Sequence, residues 1–195
     1  MAKASKANGS HGFPRDLTLP NGTAIKLRLL ESGDKEKILA FARSLPHDDL
    51  LFLRMDITEQ ATVDDWIRNV EHGDTATVIA EAGGEIVGYA SVHSDQARWT
   101  RRVGEIRIIT SSRYRGAGLG RRLSAEVFDL ARSLGLKKIT AQMTTDQTAA
   151  RAAFEHLGFQ VEAILSDWVE DRRGRARDLL IMTYDVAGFS DRIVA

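Results

Sequence analysis

The stretch Arg115-Gly116-Ala117-Gly118-Leu119-Gly120 places three glycines within five residues, with Arg113, Arg115, Arg121 and Arg122 around them. These residue types in this order suit the capture of an anion. Glycine accepts positive φ and has no side chain to screen its backbone, so successive N–H groups can converge on phosphate oxygens. Guanidinium groups beside them add charge-assisted hydrogen bonds to the same oxygens or to a further phosphate. A dinucleotide-binding fingerprint would need Gly-x-Gly-x-x-Gly, but Gly120 follows Gly118 one position too early, with Arg121 in the place of the third glycine. The Gly-Lys-Ser/Thr ending of a Walker loop is also missing. The competing reading is a glycine-rich turn without a ligand. A second basic run, Arg172-Arg173-Gly174-Arg175, reads as a solvated turn ahead of an anion site.

Such a loop works best between a strand and the start of a helix, where the helix dipole adds favourable potential. The chain meets that requirement. Val103 to Thr110 reads as a strand, and Gly118 to Leu134 as a helix with Leu119, Leu123, Val127, Leu130 and Leu134 along one stripe and Gly135 as terminator. Lys138 to Met143 is the next strand. Upstream, Ala24 to Leu30 alternates apolar and charged residues as a half-buried strand does. A helix capped by Ser32 or Asp34 follows, with Ile38, Leu39, Phe41, Ala42 and Leu45 as its apolar face and Pro46 as its stop. Thr62 to Glu71 reads as a second helix, with Val63, Trp66, Ile67 and Val70 at helical spacing, and Thr75 to Ala82 with Glu85 to Val92 as a hairpin around Gly83-Gly84. Downstream come a short helix from Gln147 to Leu157, ended by Gly158, and a strand pair, Phe159 to Val169 with Asp178 to Val186. The order predicts an α/β (α+β mixed) chain, a mixed sheet with helices on its faces.

With 195 residues, 43% of them hydrophobic, the chain suits one compact domain. Lys and Arg number 27 against 27 Asp and Glu, so no global field draws in nucleic acid or an anionic membrane. The absence of cysteine removes disulfides and thiolate chemistry and agrees with a cytoplasmic location. No apolar run reaches membrane-spanning length, and the five histidines, at 11, 47, 72, 93 and 156, have no ligand-like spacing, so no metal is implied. We read 1–23 as a flexible tail, 24–187 as one domain and 188–195 as a short second tail.

Arg115-x-x-Gly118-x-Gly120 resembles the Arg/Gln-x-x-Gly-x-Gly/Ala signature with which GNAT acetyltransferases bind the pyrophosphate of coenzyme A. The strand, long helix, strand and short helix around it, and the ending Leu157-Gly158-Phe159, are similar to the family over about 103 to 160. The outer elements agree in order. The resemblance implies a twisted, mostly antiparallel sheet of about six or seven strands with about four helices, splayed at the acetyl-CoA site by a strand that carries a bulge. It implies acetyl-CoA as cosubstrate, with phosphates on Arg115, Gly116, Ala117, Gly118, Leu119, Gly120 and Arg121. Main-chain groups of Ile108, Ile109 and Thr110 would meet the pantetheine arm and acetyl carbonyl. Gln147 stands where many relatives place a cofactor-binding asparagine. A homodimer is an option in this family that nothing in the sequence selects.

Acetyl transfer to an amine needs a neutral amine, stabilisation of an oxyanion and a proton for the departing thiolate. By resemblance Glu105 is the candidate base, directly or through water; its alternative is an ion pair with Arg107 on the same sheet face. The family's usual acid, a tyrosine, is replaced by Phe154, which has no proton to give. Tyr114, Tyr184, His156 or water remain as donors. By the same resemblance the acceptor, a small molecule or a protein lysine or N-terminus, would enter on the side formed by the N-terminal helices, with Leu50-Leu51-Phe52-Leu53 and Trp66, and by the loop between the last two strands. A catalytically weak acyl-CoA-binding module is the alternative function, favoured by Phe154.

Overall fold

The computed structural model describes residues 12–50, 55–95, 98–171 and 173–186. Leu51, Phe52, Leu53 and Arg172, and the outer parts of both expected tails, 1–11 and 188–195, lie outside these residues. Among the described residues eight strands form one sheet: β1 (Arg15–Thr18), β2 (Ala24–Leu29), β3 (Thr75–Ala82), β4 (Glu85–Ser94), β5 (Val103–Thr110), β6 (Lys138–Thr144), β7 (Gln160–Glu170) and β8 (Ala176–Asp185). Their spatial order is β1-β2-β3-β4-β5-β6-β8-β7. Every neighbouring pair is antiparallel except β5 and β6. The four longer helices are α1 (Lys35–Ser44), α2 (Gln60–His72), α3 (Leu119–Ser133) and α4 (Thr148–His156), and a single helical turn spans His47–Leu50. Among the described residues no helix is long and apolar enough to cross a membrane.

The eighth strand corrects the reading of 1–23 as a tail. Arg15–Thr18 pairs antiparallel with β2 in the register Leu17↔Ile25 and Thr18↔Ala24, and Leu19 is buried. The turn between the strands is closed by Gly22 N–H to Leu19 O at 2.8 Å and Leu19 N–H to Thr23 O at 2.9 Å. Four residues are too few for a period of two to register in the sequence, which is why the strand was not legible there.

Helix stripes decide which face is which. Leu119, Leu123, Val127, Leu130 and Ala131 of α3 pack on one face of the sheet against Val78, Ala80, Ala90, Val92 and Ile106. On the other face, Ile38, Leu39, Phe41 and Ala42 of α1 and Val63, Trp66 and Ile67 of α2 enclose Ile79 and Tyr89. Helix α1 ends where Leu45 turns extended, as expected of the residue before Pro46. Neither Ser32 nor Asp34 caps it through a side chain. Asp34 Oδ2 instead accepts from Glu31 N–H at 2.9 Å and, with Oδ1, from the Arg28 guanidinium at 2.6 Å each.

Candidate active site

The site begins where two strands part. Parallel β5 and β6 pair only at Val103↔Lys138, Gly104↔Ile139 and Glu105↔Thr140, so from Ile106 onward β5 has no neighbour on that side and a wedge opens. The expected bulge is not in β5: its register with β4 runs unbroken from Gly104 to Thr110, and the divergence of the strands alone opens the sheet. Peptide groups alternate in direction along a strand. Ser111 N–H bonds back to Val87 O at 2.8 Å, which puts the peptide groups of Ile108 and Thr110 on the wedge side and turns that of Ile109 toward β4. A Cβ at Gly88 would stand 2.9 Å from Ile109 O, so glycine there lets the two strands lie close. The side chain of Ile108 goes to the α3 core and that of Ile109 to the α1–α2 core. Of the three residues, then, only Ile108 and Thr110 aim main-chain groups into the gap.

At the mouth of the wedge a short 3-10 turn, Ser112–Tyr114, leads into the glycine loop and α3. Gly116 and Gly118 have φ of 74° and 88°, which an L side chain rarely adopts. Ala117 N–H is taken by Tyr114 O at 3.2 Å and Arg122 N–H by Gly118 O at 3.1 Å. No backbone carbonyl of the described residues accepts from Gly116, Gly118, Leu119, Gly120 or Arg121, so five donors at a helix N-terminus are free to bind an anion. That number fits a diphosphate. Pro20, from the β1–β2 turn, lies 3.5 Å from where a Gly118 Cβ would stand, so the N-terminal hairpin buttresses the loop. Arg121 is exposed, while Arg115 is half-exposed and paired with Asp49, an interaction that sequence reading missed. Arg122 is spent on buried Glu126 at 2.9 Å, which Arg15 also meets.

Gln147 sits at the start of α4, and its Oε1 accepts from Thr144 N–H at 3.0 Å and Thr144 Oγ1 at 3.3 Å. Its NH₂ is the end left for a ligand. Phe154 packs edge-on to Phe159, ring centroids 5.0 Å apart, as part of the α3-side core. Tyr184 meets Phe128 edge-on and Phe159 at a tilt in the same core, Tyr114 packs against that core, and His156 is exposed at the end of α4.

Glu105 stands at the apex of the wedge, the last β5 residue paired to β6. Its Oε1 accepts from Arg107 Nε at 3.0 Å and Nη2 at 2.9 Å, the ion pair expected as its alternative role. Both residues project on the α2 face. There a cleft with about 30 Å³ of free space is lined by Met55, Ile57, Thr62, Trp66, Asn69, Tyr89, Ser91, His93 and Arg107. The His93 ring is held between Ser91 Oγ, 2.8 Å from Nε2, and Thr75 Oγ1, 3.1 Å from Nδ1. Burial, opposed by the charge of Arg107, pushes the Tyr89 hydroxyl above the ordinary tyrosine range, so it keeps its proton at neutral pH. Trp66 was expected on this wall. Tyr89, Ser91 and His93 were not, although their period of two puts three polar or amphipathic groups on one face of an apolar strand.

Comparison with known proteins agrees with this geometry. A model of the acetyltransferase (GNAT) family matches residues 35–159. A GNAT-family acetyltransferase from Streptococcus pneumoniae superposes with a TM-score of 0.71 at 22% identity, over 83% of this chain and 99% of that one. The protein yncA from Salmonella typhimurium, solved with its cofactor acetyl-CoA, gives 0.72 at 21% identity over 88% and 99%. Ribosomal-protein-alanine N-acetyltransferase from Brucella melitensis gives 0.71 at 24% identity over 82% and 98%. Divergent strands, a ring of free donors at a helix start and the family match converge on one conclusion: this chain belongs to the GNAT family of acetyltransferases, with acetyl-CoA as its cofactor.

Proposed function

We propose that this protein is an N-acetyltransferase that moves the acetyl group of acetyl-CoA directly to a primary amine, with Glu105 as the base. The observation that carries the reading is the opening of β5 from β6 immediately beyond Glu105, with five unpaired backbone donors at its mouth. When bound, acetyl-CoA supplies an activated acetyl thioester. The chain's part is to hold its diphosphate on Gly116, Gly118, Leu119, Gly120 and Arg121, with the side chains of Arg115 and Arg121 in reach. Ile108 and Thr110 present peptide groups along the wedge, and the Gln147 NH₂ supplies a further donor. Glu105 takes the amine's proton, directly or through one water, which contributes about 10²- to 10⁴-fold. Arg107 keeps that carboxylate oriented. The acceptor enters over β4 and β5 from the α2 side.

Proton return to the thiolate has no donor in the place of the family tyrosine, since Phe154 occupies it. A thiol with an ordinary pKa near 8.5 leaves tolerably as the anion at neutral pH, so water suffices. Tyr89 is the phenol that the cleft does present, and its burial makes it a reluctant acid. Phe154 also favours the second reading, a weakly catalytic acyl-CoA-binding module. A thermal-shift titration with acetyl-CoA, followed by release of CoA thiol with a panel of amines, separates the two. Saturable stabilisation with turnover supports the enzyme; stabilisation without turnover on any amine supports the module; no stabilisation removes both.

A further inference from the structure

The acceptor cleft has an unexpected charge plan for an amine-binding site. Among the described residues that line it, Arg107 carries the one permanent charge, and that charge is positive. Glu105, which balances that charge, is not among the described lining residues, so an acceptor entering the cleft meets the guanidinium before the carboxylate. Arg107 is also under-used. Its Nε and Nη2 both serve one oxygen of Glu105, while among the described residues Nη1 meets only the Met55 thioether at 3.5 Å, a weak acceptor. One edge of a guanidinium therefore faces the cleft without an oxygen to bind.

We propose that Arg107 sets the acceptor class by binding the carboxylate of a small amino acid, whose amine is thereby delivered to Glu105. The inference rests on the reading of Glu105 as base. The Arg107–Glu105 pair is a template for a zwitterion: carboxylate on the guanidinium edge, ammonium beside the carboxylate that deprotonates it. A planar guanidinium matches a carboxylate in geometry as well as charge. The free space of about 30 Å³ holds on the order of two waters, the size of a carboxylate alone, so the rest of the acceptor would lie outside it toward Glu105.

The test compares each of the twenty common amino acids with its own carboxamide, with plain alkylamines and with a lysine peptide blocked at both termini, by CoA-thiol release. The best amino acid should exceed its carboxamide in kcat/KM by about 10- to 100-fold, the scale of one lost charge-assisted contact. Arg107→Gln should bring that ratio near one, raising KM more than it lowers kcat, and Arg107→Lys should restore part of it. Equal turnover of acid and amide by the parent chain, or preference for an alkylamine or the blocked peptide, overturns the proposal without any variant having to fold. Turnover of none of these also overturns it. The acetyl-CoA thermal shift, read alongside, assigns the failure: with the shift intact the acceptor class is wrong, and with the shift lost the cofactor site itself is wrong.

Discussion

Gly118 is the residue at which backbone conformation and ligand chemistry meet, because its φ of 88° starts α3 and its N–H is one of the free donors. In Gly118→Asp, a side chain and a negative charge would stand against the phosphates, and the positive φ would add about 1–3 kcal/mol of strain. Coenzyme A affinity should fall on the order of 100-fold or more by calorimetric titration, from lost charge-assisted contacts and like-charge repulsion. A parent-like affinity would return the loop to an empty turn. Glu105→Gln keeps the shape and removes the base, so turnover should drop about 10²- to 10⁴-fold while the acetyl-CoA thermal shift persists. Unchanged turnover would leave Glu105 as a structural partner of Arg107 alone. Phe154 and Phe159 touch edge to face, so this corner of α4 is built as core.

At the scale of elements, the wedge depends on how β5 is pinned at its base. Gly104 sits in the short joint with β6, and a Cβ there would come within 2.6 Å of Leu136 Cδ1 and 3.0 Å of Val92 Cγ1. Gly104→Ala should therefore destabilise by about 1–3 kcal/mol through overpacking, read as a lower Tm, and weaken acetyl-CoA binding in step. Binding unchanged despite the lower Tm would show that the wedge does not rely on this joint. Helix α3 is held by a different force. Leu123 is fully buried against the sheet, so Leu123→Ala should cost about 2–5 kcal/mol in denaturant unfolding, the combined transfer and cavity terms of a core leucine.

For the whole molecule, the packing of α1 on the sheet carries a pH dependence. Arg28 binds Glu81 through Nη2 at 2.8 Å and Nε at 3.1 Å, Lys37 reaches the same carboxylate at 2.8 Å, and Arg28 also holds Asp34. The Arg28 hydrogen bonds, against burial and with help from Lys37, hold the Glu81 carboxyl below its ordinary value of 4.5. Burial raises the Asp34 pKa, but the Arg28 and Glu31 hydrogen bonds outweigh it and leave the carboxyl below 3.8. A carboxyl whose pKa is lower in the folded chain binds fewer protons there than when unfolded. Its stabilisation is complete above the ordinary values and is lost as pH falls through the folded ones. Urea unfolding should thus show stability declining as pH drops below 4.5, and Glu81→Gln should shallow that decline. The same variant should lose about 2 kcal/mol at neutral pH, because Arg28 remains among its neighbours with one carboxylate fewer. An acid limb identical in parent and variant would place the pH dependence elsewhere.

The glycine loop, its helix, the strand before it and the general α/β plan were legible in the sequence, because each is a local pattern: glycines at positions that need positive φ, a leucine stripe of helical period, alternation in a strand. Glu105 and Arg107 were legible as a pair for the same reason, two residues apart on one strand. What only the tertiary structure decided is long-range. The cleft over β4 and β5 draws Met55, Trp66, Tyr89, His93 and Arg107 from separate elements, and no window of sequence contains them together. Arg115 meets Asp49 across 66 positions of chain, and Pro20 from an apparent tail supports Gly118. Even the wedge is a fact of pairing. The residues of β5 beyond Glu105 read as an ordinary strand, and they open a site because β6 diverges from them.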